Sequence, residues 1–282
     1  MTGDRWGEYE ILAREPAAGD GFDAVARLGD RTYWLWAGAA GRGSAEEASE
    51  LAARLARVYQ ANLPRVLGSD FVEGRVVLRL APVEGERLTK RLARDRIDPP
   101  AAIDVAQSLG AALVKLHRAG FVHGAIDVSE AYCAANGTVY LLHGGLGPFL
   151  GSRPAQSPDD VAGAPRDEAS DVFGLARLLH ALVEGTDPWP GDAVREEGLR
   201  ADLPQGFRRF LARALTRDTG RRIRRADEFT ADARVIRASW GSGSEPASGP
   251  RRFGVRPLLV AGTLVLGTVL ALCARGCSDI NA

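Results

Sequence analysis

The chain has 282 residues, 45% hydrophobic and 26% charged, enough for one large domain or two small lobes with a core, and this composition excludes a disordered or fibrous protein. Lys plus Arg and Asp plus Glu both number 36, so no net basic field points to nucleic acid; three cysteines without metal-ligand spacing (Cys133, Cys273, Cys277) exclude a disulfide-rich secreted fold. Almost every basic residue is arginine, and Lys90 and Lys115 are the only lysines.

The N-terminus, MTGDRWGEYE, lacks a basic stretch followed by an apolar run, so no export signal is expected and the bulk of the chain is expected in the cytoplasm. Up to about Leu80, the runs YEIL, DAVARL, TYWLW and RVVLRL read as short strands around one helical stretch, AEEASELAARLARVY. The glutamates from Glu46 to Glu50 read as a solvated face of that helix. Beyond Leu80, apolar residues recur at three and four spacing over 101–119, 171–184 and 206–217, which predicts helices. A small β-rich lobe followed by a helical lobe is the expected outline, over residues 8–236. A linker is expected over 237–256, whose Ser, Gly and Pro content from about Ser239 to Gly254 is that of a flexible tether.

From Pro257 to Ala274, 18 positions carry no charge, which gives about 27 Å of helix, long enough to span a bilayer. Arg251, Arg252 and Arg256 precede this run and Arg275 alone follows it, so the positive-inside bias keeps the N-terminal domain cytoplasmic and sends only a tail, 275–282, across. Cys277 then lies on the non-cytoplasmic side, where oxidation is permitted. Thr263, Gly267 and Ala271 recur every four residues, a small-residue stripe through which two copies could associate.

Phe121 opens FVHGAIDVSEAYCAANGTVYLLHGGLG, in which His123 and His143 stand twenty residues apart, with Gly137 at a turn and Val139 and Leu141 alternating in a strand. This run resembles the bacterial Ser/Thr protein kinase family, in which a His-Arg-Asp loop, a strand, a Gly turn and a second strand lead to Asp-Phe-Gly. The resemblance extends over roughly 8–236, through the YEIL start, the helix ending near ANLPRVLG, and SDVFGLARLLHALVEGTDPW. It implies an α+β, bilobal protein kinase-like fold, here with one transmembrane helix added. It also implies architectural roles for Asp171, which would hold the catalytic loop's backbone, for Arg222, the late buried arginine, and for His123, a buried structural histidine.

The residues that carry phosphoryl transfer in the family are replaced one after another, and that chemistry depends on positioning and charge neutralisation. Ala125 stands at the catalytic-base Asp, and a methyl group accepts no proton. Asp127 stands at the loop Lys, Glu130 at the metal-binding Asn and His143 at the Asp of Asp-Phe-Gly. An imidazole is a poor ligand for a hard ion such as Mg²⁺. In the phosphate cradle, AAGDGFDAV puts Ala18, Asp20 and Asp23 near the phosphates, where acids repel them. TYWLW sets Trp36 at the strand lysine and Trp34 at the small residue facing the adenine, and no lysine exists before Lys90 to correct the register. Trp34 and Trp36 are therefore candidates to fill the nucleotide pocket. Ala164, Pro165 and Arg166 sit where the family has Ala-Pro-Glu, and Glu168 is a candidate partner for Arg222. His123, His143 and Cys133 match no familiar zinc spacing.

The resulting expectation is a catalytically inactive, membrane-anchored pseudokinase with no catalytic, cofactor or metal residues, acting as a scaffold or allosteric regulator. Its implied partner is a cytoplasmic or membrane-associated protein, such as an active kinase, a forkhead-associated domain or a cell-envelope enzyme. The competing expectation is a divergent kinase or other nucleotide-dependent transferase built on Asp127, Glu130 and an arginine, for which ATP and Mg²⁺ would be cofactors. Between them lies a pocket that binds ATP as a structural ligand only.

Overall fold

The computed structural model describes residues 4–17, 20–149, 157–188 and 194–240, all within one compact unit that runs to Gly249. The runs singled out as strands become β2 (Tyr9–Pro16), β3 (Phe22–Leu28), β4 (Arg31–Ala37) and β6 (Arg75–Leu80); β1 (Asp4–Trp6) and β5 (Val66–Val72) complete a six-stranded antiparallel sheet of order β1-β2-β3-β4-β6-β5. The β5–β6 hairpin turns on Glu73 and Gly74, both at positive φ (49° and 75°), the two-residue geometry that suits the strand twist. Trp6, Tyr9, Phe22, Leu35 and Val77 pack into one apolar cluster on this sheet. Trp6 also donates its indole N–H to Glu73 at 2.9 Å, and Tyr9 pairs with Asp70. The sheet thus includes Asp4–Trp6, ahead of residue 8, and Trp6 of that strand is buried.

Helix α1 (Ala45–Leu55) lies against β5 and β6, starts on a Ser44 cap that accepts from the Glu47 amide at 3.2 Å, and buries Ala48, Leu51, Ala52 and Leu55. Its Glu46, Glu47 and Glu50 are exposed.

After β7 (Gly85–Arg87) and the short α2 (Leu88–Leu92), the chain enters the helical lobe at α3 (Pro99–Arg118), 20 residues that start on a proline pair. Strands β8 (Ala131–Ala134) and β9 (Val139–Leu141) join β7 in a second, three-stranded sheet. The single turn α4 (Pro158–Val161) precedes α5 (Glu168–Glu184), which opens on an Asp167–Ser170 capping box and ends at Gly185, φ 76°. Helices α6 (Gln205–Ala214) and α7 (Ala226–Trp240) close the core, with Phe173, Phe207 and Phe229 fully buried. The helix α7 runs through 237–240, which the sequence assigns to the linker. Trp240 seats its ring 5.3 Å from Phe207, and Arg237 pairs with Asp104 at 2.9 Å, so tertiary contacts carry the helix past the change in composition.

Among the described residues no helix is long and apolar enough to cross a membrane. The expected span 257–274, the tail 275–282, the stripe Thr263, Gly267 and Ala271, and Cys273 and Cys277 lie outside the described residues, as do Ala18 and the linker beyond Trp240.

Candidate functional site

Three of the replaced residues, Trp36, Glu130 and His143, meet in the cleft between the two sheets. His143 follows β9 in the left-handed region (φ 52°), an uncommon conformation for a side chain with a Cβ. The glycines after it let the chain turn away at once. This backbone aims the imidazole between the lobes: Nδ1 lies 2.6 Å from Glu130 at the end of the 3₁₀ turn Val128–Glu130, and Nε2 lies 2.7 Å from Asp23 on β3. Carboxylates only accept, so both ring nitrogens carry protons and the side chain is an imidazolium. Burial pushes its pKa down, yet the charges of Asp23 and Glu130, and their hydrogen bonds, outweigh that and hold it up at about 10.

The cluster continues outward. Arg87 also pairs with Asp23, reaches Glu15 at 3.2 Å and donates to the Ser129 carbonyl at 2.7 Å, while Lys90 pairs with Glu15. Asp23, Glu130 and His143 are all buried. Two carboxylates are thus balanced by one imidazolium and one guanidinium, the condition under which buried charges are tolerated.

Two indoles finish the filling. Trp36, cross-strand from Asp23, stands 5.0 Å from the His143 ring, within the range of a cation–π contact, and its own Nε1 has no hydrogen-bond partner among the described residues. Trp34 packs 4.8 Å from Tyr132 and 6.0 Å from Trp36. Beside them lies a cavity of about 120 Å³ lined by Ala13, Val25, Trp34, Lys90 and Tyr132 among others. Ligand pockets span about 300–1,000 Å³. At the start of β3, Asp20 pairs with Arg75 at 3.0 Å, and Arg75 donates to the carbonyls of Asp20 and Gly38 at 2.8 and 2.9 Å.

The loop that carries Ala125 is held by architectural groups. Asp171, fully buried at the first turn of α5, accepts from the amides of His123 (2.7 Å) and Gly124 (2.6 Å) and from His117 (2.9 Å). His123 accepts the Ala125 amide on Nδ1 at 3.3 Å and donates from Nε2 to the Leu142 carbonyl at 2.7 Å, which fixes its tautomer. Asp127 accepts from the Ser129 amide at 2.6 Å and so caps its own turn. Arg166 donates to the Gly124 carbonyl and lies 3.4 Å from Asp160. Arg222 does not pair with Glu168. It pairs with Asp159 on α4, because α4 stands over the arginine while Glu168 faces His117 at 3.8 Å.

His143, Glu130, Trp34 and Trp36 are each legible from spacing in the sequence, one at a time. The hydrogen bond from His143 to Asp23 was not legible, because 120 residues separate the two and an acid in the cradle reads only as repulsive to phosphate. A nucleotide with Mg²⁺, the ligand set implied by the resemblance, does not fit these residues. The oxygens that would take the metal already accept from an imidazolium, and among the described residues no group of three His, Cys, Asp or Glu is arranged to hold a metal.

No protein-family model matches the chain. It is 29% identical over 154 residues to the serine/threonine-protein kinase PknL of Mycobacterium tuberculosis, a match covering 49% of this chain and 38% of that protein. It is 25% identical over 190 residues to the serine/threonine-protein kinase PknA of the same species, covering 59% of this chain and 44% of PknA. The matches therefore span less than half the length of these relatives. The crystal structure of the M. tuberculosis PknI kinase domain superposes with a TM-score of 0.68 at 18% identity, covering 84% of this chain and 99% of that domain. The fold is a bilobal protein kinase-like fold.

Proposed function

We propose that the protein is a pseudokinase: a kinase-like fold that performs no phosphoryl transfer and acts as a membrane-tethered scaffold or allosteric regulator for a protein partner. The observation that carries the reading is the His143 imidazolium held between Asp23 and Glu130, where phosphates and their metal would lie. An internal cation there does the work of a bound metal–nucleotide, drawing a small-lobe acid and a large-lobe acid together without a ligand. The kinase activity named for PknL and PknA does not carry over on this reading, because Ala125 offers no base and Trp36 no phosphate-pairing charge. Asp127 and Glu130, the residues a divergent transferase would need, are engaged in a cap and in the cleft cluster. Anchoring rests on the apolar run 257–274, with the kinase-like unit on the cytoplasmic side and the partner recruited there.

Thermal unfolding of the full chain in detergent, with and without millimolar Mg²⁺ and ATP, tests the reading, since a ligand bound only by the folded state raises stability. No shift is expected. A Mg²⁺-dependent rise in Tm would overturn the filled cleft and make a transferase assay with Glu130→Gln and Asp127→Asn the next step. For the tether, the full chain is expected to resist alkaline extraction from membranes and a chain lacking 257–274 to be released.

A further inference from the structure

The six-stranded sheet ends on β5, and among the described residues no strand covers the outer edge of β5. Val72 and Arg75 flank the two-residue turn and form a hydrogen-bonded pair, and such pairs alternate with non-bonded ones along an antiparallel ladder. Val72 and Asp70 therefore spend their amides and carbonyls on β6, whereas those of Ser69 and Phe71 point outwards, where no described strand takes them up. Proteins blunt such an edge with Lys, Pro or a bulge. Residues 66–72 contain neither Lys nor Pro, and their one irregularity, at Leu67, lies near the start of the strand. Leu67 and Phe71 are instead 46% and 39% exposed, two of the few large apolar side chains left at the surface.

The order of residues along this edge is complementary to itself. An antiparallel second β5, related by a two-fold axis at Ser69, sets Leu67 opposite Phe71 of the other copy, Gly68 opposite Asp70 and, just outside the strand, Arg65 opposite Glu73. Each match occurs twice, as a two-fold axis requires, and the outward amides of one copy meet the outward carbonyls of the other. Arg65 and Glu73 are both exposed, and Arg65 has no ion pair among the described residues, so the flanks attract while the centre is apolar. Neighbouring registers are worse. An axis at Asp70 sets two carboxylates face to face, and an axis at Phe71 sets Leu67 against Arg75, whose guanidinium is committed to Asp20.

We propose that the β5 edge docks a second copy of this chain, the two six-stranded sheets joining into one antiparallel sheet centred on the Ser69 pair. This is strand addition, in which main-chain hydrogen bonds supply affinity and the facing side chains fix the register. Because α1 lies against β5 and reaches the large lobe through Arg54, pairing at this edge bears on the element that joins the lobes. The interface is separate from the cleft and holds whether or not a nucleotide binds there.

Sedimentation equilibrium of the full chain in detergent is expected to show a monomer–dimer equilibrium in the micromolar range. Leu67→Lys, a charge at an exposed position of the edge, is expected to weaken the dimer at least about tenfold while leaving the circular dichroism of the monomer unchanged. The register is read by cross-linking in a Cys273→Ser, Cys277→Ser background. There Ser69→Cys brings two thiols together across a pair whose Cα atoms stand about 5.5 Å apart, within disulfide reach, and mild oxidation is expected to give a covalent dimer. Asp30→Cys, at the exposed β3–β4 turn, is the control and is expected to stay monomeric under the same oxidation, as is Ser69→Cys combined with Leu67→Lys. The proposal is overturned if the full chain is monomeric at every concentration, if Leu67→Lys leaves the dissociation constant unchanged, or if Ser69→Cys cross-links no faster than Asp30→Cys.

Discussion

At the residue scale, His143 decides the character of the cleft, and its protonation gives the effect a sign. In the unfolded chain its imidazole titrates near 6.5, whereas between Asp23 and Glu130 it is held at about 10. A raised folded-state pKa means that the stabilisation is complete below about pH 6.5, declines as the unfolded chain alone loses its proton, and is gone above about pH 10. The wild-type protein should therefore lose stability across that window by at most about 1.4 kcal/mol per pH unit relative to His143→Asn, whose side chain does not titrate. Urea melts at intervals between pH 6 and 10 would show it; parallel curves for the two proteins would mean that the imidazole is neutral in the fold. At fixed neutral pH, His143→Ala should cost about 3–5 kcal/mol, because it leaves two buried carboxylates with Arg87 as the remaining cation on Asp23.

At the scale of elements, the run AGAAGRG after β4 has a use that its composition hides. Gly38 and Gly43 form the walls of a socket for Phe149, which lies at the end of the 3₁₀ turn Gly147–Phe149: a Cβ on Gly38 would stand 2.8 Å from the Phe149 carbonyl oxygen, and one on Gly43 would stand 2.7 Å from its ring. The Ala39 amide donates to the same carbonyl at 2.8 Å. Gly43 also sits at φ 85°, so Gly43→Ala should destabilise by about 1–3 kcal/mol through overpacking and strain together. The double variant Gly43→Ala with Phe149→Ala should recover part of that loss, and denaturant melts of both singles and the double would measure the recovery. Strict additivity would mean that ring and glycine do not meet. A sequence reading had no means to see this socket, since small residues between a strand and a helix read as loop. It missed β5 for a related reason: Gly68, Ser69 and Asp70 interrupt the alternation, and β6 supplies the pairing that local propensity does not. The helices α1 and α3 were legible because one face of each is buried and its period survives in the sequence, whereas β3, β4 and β6, with consecutive buried residues, were legible as short runs of β-branched, aromatic and other apolar residues between turns.

At the scale of the molecule, the lobes are joined at several separate places, none of which uses a ligand. Besides the cleft cluster and the Phe149 socket, Asn62 after α1 donates to the Val139 carbonyl at 2.8 Å and accepts the Leu141 amide at 2.9 Å, which ties the small lobe to β9. Arg54 at the end of α1 reaches the Ala119 carbonyl at 3.2 Å and stacks 4.4 Å above the Phe121 ring. Links distributed in this way make the two lobes one cooperative unit, so that unfolding one exposes the surfaces the other needs. Three of the five tryptophans, Trp6, Trp34 and Trp36, lie in the small lobe, while most helical residues lie in the large one, so indole fluorescence and helical circular dichroism report on different halves. The two signals should coincide through the denaturation of the wild-type protein. In a His143→Asn, Asn62→Ala double variant the cleft cation and the side-chain half of the β9 tie are gone, while the Asn62 backbone carbonyl still accepts the Leu141 amide, and fluorescence should change at lower denaturant than ellipticity as the small lobe opens first. Coincident curves in the double variant would assign the coupling to the links that remain, the Phe149 socket, the Arg54 stack and the Asn62 backbone bond, whereas separated curves already in the wild type would mean that the lobes are not locked together.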